Sequence, residues 1–123
     1  MFRVIIAGGR DFSDYDFLAR TMDRLLSEVT DDITVVCGMV HGADSLGEKY
    51  AIERNYAIDY HPAEWSQFGR GAGYHRNIEM AECSDALVAF WDGDSKGTKH
   101  MIETAQKHGL KTRVIRYDKR PVL

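Results

Sequence analysis

The sequence contains few cysteines and no long apolar run. Two of its 123 residues are cysteine, Cys37 and Cys83, and neither lies in a CxxC pair or at a metal-ligand spacing. Both lie beside apolar segments, which favours buried reduced thiols. No apolar segment approaches the roughly 20 residues of a transmembrane helix, and no signal-peptide pattern precedes the first strand-like segment. We therefore expect a cytoplasmic protein with no membrane partner and no metal.

An excess of positive charge is also missing. The formal net charge is −3, which argues against a general duplex-DNA binder, although a local basic cleft is compatible with it. The patterns GxxxxGK[ST], GxGxxG and HExxH do not occur. Their absence argues against an ATP-driven motor, an ordinary dinucleotide site and a zinc protease. We predict no cofactor.

The chain does contain a regular alternation of strand-like and helical segments. Short apolar or β-branched runs at residues 3–7, 33–37, 57–60, 85–91 and 112–117 predict strands. Segments with helical spacing of apolar residues separate them. Alternation of this kind requires parallel pairing with right-handed crossovers. The prediction is a single α/β domain over 1–123, with a three-layer, Rossmann-like, doubly wound and mostly parallel sheet of about five strands.

Local signals also mark where the helices begin and end. Asn55 and Gly109 follow helical segments and suit the left-handed conformation that ends a helix. Residues 61–71 show no periodicity and predict an irregular loop, and loops of this length are typically functional or mobile. A helix is then predicted from Ala72 onward.

Glycine-rich corners follow the first two strands. Gly8 and Gly9 allow a close backbone approach to a ligand, with Arg10 on a phosphate and Asp11 holding its guanidinium. The alternative is a tight turn with a surface Arg–Asp pair. The second corner contributes Gly42, Ala43 and Asp44. Asp44 either caps the next helix or reaches a ribose hydroxyl, and the neighbouring His41 is interpreted as a solvent-facing loop residue.

A third corner follows the fourth strand and leads at once into a helix. Strand, glycine-rich turn and helix together direct backbone N–H groups toward an anion. The candidates for binding a phosphate there are Asp92, Gly93, Ser95, Gly97 and Thr98. Because ligands of doubly wound sheets bind beyond the carboxyl ends of the strands, all three corners should meet at one edge.

The helix predicted from Ala72 carries an unusual polar pair near its start. The helix dipole disfavours a cation there, so Arg76 is expected to reach an anion. Asn77 could contact a base edge, a ribose or a neighbouring loop, and the alternative is a solvated pair. Trp65 either stacks on a nucleobase or covers the edge of the sheet.

Together these motifs resemble the SLOG superfamily, in particular its small single-domain YpsA-related branch of bacteria and their phages. The resemblance rests on Gly8-Gly9-Arg10-Asp11-Phe12, Gly42-Ala43-Asp44, Trp65, Ala72-Gly73, Arg76-Asn77 and Asp92-Gly93-x-Ser95-x-Gly97-Thr98. It implies a Rossmann-like fold and a nucleotide or nucleotide-derived ligand, such as a nucleoside phosphate or an ADP-ribose-like molecule, at the carboxyl edge of the sheet. It also adds Gly73 to the ligand-binding candidates and suggests a homo-oligomer.

The superfamily includes phosphoribohydrolases, whose PGGxGTxxE motif ends in a catalytic glutamate, and the DNA-processing protein A family. Here Gly97-Thr98 matches the GT, Met101 stands at the glutamate, and Arg76 matches the catalytic arginine with Asn77 in place of a lysine. A hydrolase would need a carboxylate from elsewhere, and the candidates are Asp11, Asp44, Asp92 and Asp94.

Three functions follow from the resemblance. The first is binding or sensing of a nucleotide-like ligand. The second is hydrolysis of an N-glycosidic bond in a nucleoside monophosphate, with Arg76, Asp44 and Asp92 as the catalytic candidates. The third is binding of single-stranded DNA, which the acidic charge of the chain disfavours.

Overall fold

The computed structural model describes residues 1–39 and 42–117, so His41 and the charged tail lie outside the described residues. It contains five strands, β1 (Phe2–Gly8), β2 (Ile33–Cys37), β3 (Ala57–Tyr60), β4 (Ala86–Trp91) and β5 (Lys111–Arg116). They form one sheet in the order β3-β2-β1-β4-β5, and every neighbouring pair is parallel. The doubly wound sheet predicted from the sequence is confirmed.

Helices connect the strands and cover both faces of the sheet. They are α1 (Tyr15–Leu26), α2 (Ala43–Glu53), α3 (Trp65–Phe68), α4 (Ala72–Glu82) and α5 (Lys96–Lys107). On one face the apolar side chains of α1 and α2 pack with Val4 and Ile6 of β1. On the other face those of α4 and α5 pack with Ile5 and Ala7. Successive strand residues point to opposite faces, so this split produces the predicted three layers.

The helix ends agree with their local sequence signals. Asp14 caps α1 by accepting a hydrogen bond from the Phe17 amide at 3.1 Å, and Ser95 caps α5 through the Thr98 amide at 3.4 Å. Asn55 and Gly109 have φ angles of 59° and 74°. Both residues therefore take the left-handed conformation that the sequence predicted after these helices.

The prediction of an irregular loop over residues 61–71 is wrong in part. Residues Trp65–Phe68 form the single turn of α3, and Gly69–Gly71 continue it as a 3-10 turn. The Glu64 carbonyl accepts hydrogen bonds from the amides of Gln67 and Phe68. One turn is too short to produce a visible period in the sequence, which explains why the helix was not predicted.

The two cysteines differ in their environments. Cys37 is buried, as expected, and burial raises the pKa of its thiol to about 11. Cys83 is free as well but only half-buried, so the expectation of a buried thiol is wrong for this residue. It is the residue that follows the end of α4.

No helix within residues 1–39 and 42–117 has the length and apolar character required to cross a membrane.

Gly47 tests the packing of α2 on the sheet. A Cβ atom at this glycine would lie 2.9 Å from the Cβ of Ile6, which is too close for either backbone to tolerate. We expect Gly47→Val to lower the free energy of unfolding by about 1–3 kcal/mol, measured by urea denaturation. Gly71→Ala is the control, because nothing lies within 4 Å of a Cβ atom there. Equal stability of the two variants would contradict the close packing of Gly47 in α2 against Ile6 in β1.

Candidate functional site

A cavity of about 480 Å³ opens at the carboxyl edge of the sheet. Its walls come from the ends of β1 and β2, from the segment after β3, and from the first turns of α4 and α5. The strand order reverses at this place, because β1 is flanked by β2 on one side and by β4 on the other. Doubly wound sheets bind their ligands at this reversal.

Ten of the predicted ligand-binding residues line this cavity. They are Gly8, Arg10, Asp44, Trp65, Gly73, Arg76, Asn77, Ser95, Gly97 and Thr98. The three glycine-rich corners therefore meet as the sequence predicted, and each contributes at least one lining residue. The convergence follows from parallel pairing, which brings the carboxyl ends of all strands to one edge.

Four other candidates lie in the first two corners and make contacts within the protein. The Ala43 amide donates to the Gly9 carbonyl oxygen at 3.3 Å, and a Cβ atom at Gly42 would lie 2.1 Å from that oxygen. The two corners are thus packed backbone against backbone, which requires glycine. Asp11 accepts a hydrogen bond from the Tyr117 hydroxyl at 3.0 Å. These four residues, Gly9, Asp11, Gly42 and Ala43, do not line the cavity.

Asp92 and Gly93 shape the third corner. The Asp92 carboxylate accepts hydrogen bonds from the amides of Asp94 and Ser95 at 2.8 and 2.9 Å, which is an Asx turn. Gly93 has a φ of 91° and lies against the Arg116 guanidinium. Neither residue lines the cavity. Their positions fix the chain as it enters α5, and a direct ligand contact for them stays a prediction.

Arg76 is the cation most embedded in the site. Its Nη1 donates to the Gly38 carbonyl at 2.6 Å, and its Nε donates to Asn77 Oδ1 at 3.3 Å. Burial lowers the pKa of Arg76, while the nearby Asp44 carboxylate raises it. A guanidinium stays charged in proteins, so this arginine places a partly desolvated positive charge in the cavity wall.

Asn77 holds Arg76 and joins the two helices that border the cavity. It is 5% exposed, and its Nδ2 lies 3.4 Å from the Gly97 carbonyl oxygen and 3.0 Å from His100 Nδ1. Both atoms belong to the start of α5, and a contact of Asn77 with a base edge or a ribose stays a prediction. Asn77 therefore positions the arginine and the start of α5 through these contacts.

The first turn of α5 borders the same cavity. Ser95, Gly97 and Thr98 line it, and a Cβ atom at Gly97 would meet nothing within 4 Å. Amides of a first helical turn have no intrahelical partner and carry the positive end of the helix dipole. Arg76 and the start of α5 therefore both favour a negatively charged ligand group at this wall.

Several lining residues were not predicted from the sequence. Tyr74 is one of them, and its ring stacks on that of His100 with the ring centroids 4.2 Å apart. It lies in the cavity lining together with Trp65, which was predicted and is 59% exposed. Met80 and Met101 also line the cavity and are each 2% exposed, so they belong at the same time to the core beneath α4 and α5. Gly38 directly follows β2, and a glycine directly after a strand is a sequence signal that could have identified it. The aromatic and thioether groups give the cavity an apolar part of its lining.

Sequence comparison places the chain in a family. Residues 2–68, more than half of the chain, match the family model described as YspA, cpYpsA-related SLOG family. The chain belongs to this family. The gene 61 protein of Mycobacterium phage D29 is 34% identical to this SLOG domain over 116 residues, which cover 89% of this chain and 93% of that protein. The resemblance seen in the motifs is confirmed.

Two solved structures share the fold of this SLOG domain. DNA processing protein A from Streptococcus pneumoniae superimposes with a TM-score of 0.73 at 13% identity, over 96% of this chain and 51% of that chain. The protein TM1055 gives a TM-score of 0.66 at 17% identity, over 91% of this chain and 72% of that chain. This domain thus spans about half the length of DNA processing protein A, and the similarity establishes the Rossmann-like fold.

The contact between Asn77 and His100 predicts a pH dependence of stability. Because Arg76 donates to Asn77 Oδ1, the amide nitrogen faces His100 and Nδ1 of that ring must accept. Burial lowers the pKa of His100 below 6.5. A lowered histidine pKa stabilises the fold above the unfolded pKa, and this stabilisation is lost as the pH falls through the folded pKa.

We therefore expect His100→Gln to lose less free energy of unfolding than the wild type when the pH falls from about 7.5 to about 5. Urea denaturation at both pH values gives the comparison, and the other histidines cancel because both proteins carry them. An equal loss of free energy of unfolding in the two proteins would contradict the lowered pKa of His100.

Proposed function

We propose that this SLOG domain binds a nucleotide or nucleotide-derived ligand, such as a nucleoside phosphate or an ADP-ribose-like molecule. One observation carries the proposal: the Arg76 guanidinium and the first turn of α5 border the same cavity. An arginine fork and a helix N-terminus each favour a phosphate. Two such groups at one cavity are arranged for an anion rather than for a neutral metabolite.

The apolar part of the lining supports a base as the second part of the ligand. Trp65 and Tyr74 offer ring faces, and a ring face binds a nucleobase without regard to its sequence of donors and acceptors. The cavity volume of about 480 Å³ lies within the range of roughly 300–1,000 Å³ for small-molecule sites. A phosphate and a base can therefore be accommodated together.

A second candidate function is hydrolysis of an N-glycosidic bond. Asp44 favours it, since this carboxylate is 6% exposed and lines the cavity together with Arg76. It could stabilise an oxocarbenium-like transition state while water attacks the anomeric carbon and the base leaves with a proton. Met101 also lines the cavity, so an apolar side chain occupies the position at which the hydrolase motif has its glutamate.

For the binding function we expect Arg76→Met to weaken ligand affinity by about tenfold or more, because charge-assisted hydrogen bonds contribute about 1.5–3 kcal/mol. Calorimetric titration with a panel of nucleoside monophosphates and ADP-ribose measures the effect. Arg70→Met is the matched control, since Arg70 is exposed and does not line the cavity. Equal affinity of both variants and the wild type would contradict the role of Arg76.

Gly97→Val tests the other half of the phosphate site. The variant should fold with nearly unchanged stability, because the side chain enters open space. The same side chain would block the approach of a phosphate to the first turn of α5. Unchanged affinity would show that this turn is not part of the binding site.

Chromatography of the same ligand panel after incubation separates the two functions. Release of free base and ribose phosphate by the wild type, and the loss of this release in Asp44→Asn, would establish the hydrolase. Ligand-dependent melting shifts without turnover would establish a binding domain. A single-stranded oligonucleotide in the panel tests the third function, for which tight binding must decrease steeply with salt. A homo-oligomer also stays a prediction, and the molar mass in solution tests it.

A further inference from the structure

Three side chains of metal-binding type meet on the face of the sheet that carries α4. Asp59 lies in β3 and His61 follows two residues later, so both point to the same face. Cys83 follows the last residue of α4. The His61 Nε2 atom lies 2.9 Å from Asp59 Oδ2 and 3.8 Å from Cys83 Sγ. None of the three lines the 480 Å³ cavity at the carboxyl edge of the sheet.

The spacing of these atoms suits a tetrahedral ion. Each residue offers one donor atom, and all three atoms lie within 4.8 Å of one another. Zinc bonds of about 2.0–2.3 Å place neighbouring ligand atoms of a tetrahedron roughly 3–4 Å apart. Small rotations of the carboxylate and the thiol would therefore complete three of the four positions, and water would take the fourth.

The cluster is already organised around a cation. Arg3 donates through Nη2 to the Asp59 carboxylate and to Cys83 Sγ, the latter at 3.3 Å, and through Nε to the Cys83 carbonyl oxygen at 2.5 Å. Its guanidinium thus neutralises the carboxylate and contacts the sulfur. All four residues are only half-buried, so an ion has access from solvent.

We propose that Asp59, His61 and Cys83 form a site for a thiophilic divalent metal of the zinc type, which binds in exchange with the Arg3 guanidinium. The thiol, the imidazole and the carboxylate are the donor set that zinc and cobalt prefer. On binding, the Cys83 sulfur bonds the metal and its proton goes to solvent. Thiolate and carboxylate together balance the two charges of the ion. This proposal departs from the expectation, drawn from the sequence, that the protein has no metal.

The exchange also links two parts of the fold. β3 is the edge strand of the sheet, and the metal would bind it to the end of α4. Two residues that line the 480 Å³ cavity are close in the chain to this cluster: Pro62 directly follows His61, and Met80 lies one helical turn before Cys83. A metal that binds only to the folded state, and not to the unfolded chain, raises the melting temperature.

The test uses the full chain after treatment with EDTA. Zn²⁺ is titrated by calorimetry, and Co²⁺ is titrated by absorption, where a thiolate-to-cobalt charge-transfer band reports the sulfur ligand. We expect one ion per chain, a clear band, and an affinity at least tenfold weaker in Cys83→Ser. Cys37→Ala is the matched control, because Cys37 is buried and not part of the cluster, and it should keep both the band and the affinity.

Two further variants keep the proposal testable if Cys83→Ser does not fold. His61→Gln should also weaken zinc binding, whereas Arg3→Met should strengthen it, because the competing cation is removed. The absence of the cobalt band in the wild type overturns the proposal. So does equal zinc affinity in the wild type, Cys83→Ser and His61→Gln, since the ion would then be bound elsewhere.

Discussion

The site depends on the parallel pairing of β1 between β2 and β4. Val4, Ile5, Ile6 and Ala7 are buried because helices cover both faces of this central strand. Parallel pairing brings the carboxyl ends of the strands to one edge, and the helix after each strand begins at that edge. The reversal of strand order at β1 separates the helices there and leaves the cavity. Loops distant in the sequence thus become neighbours.

Within that cavity, contacts between helices decide the electrostatics. Arg76 is placed by the Gly38 carbonyl oxygen and by Asn77, and Asn77 also contacts Gly97 and His100 of α5. The positive charge and the start of α5 are therefore positioned by one buried amide. These groups are already oriented before a ligand arrives, which is the preorganisation that the proposed anion binding requires.

The glycine-rich corners show how one residue type serves two purposes. Gly42 lets the first two corners pack backbone against backbone and Gly9 makes room for the Tyr117 hydroxyl, whereas Gly97 leaves open space toward the cavity. Both purposes require the absence of a Cβ atom, so the sequence pattern is the same for both. Asp92 is similar, since a carboxylate in a corner suits a ligand and also an Asx turn. These distinctions require coordinates.

The sequence by itself determined the alternation of strands and helices, the helix ends at Asn55 and Gly109, the family, and the edge at which the corners meet. These features follow from local periodicity, from backbone preference and from the geometry of parallel strands. The tertiary structure alone decided that Met80 and Met101 reach the cavity and that Cys83 lies beside Asp59 and His61. The reason is that helical spacing does not distinguish a core wall from a cavity wall. Contacts between residues 22 positions apart depend on how α4 packs on the sheet, which no local pattern encodes.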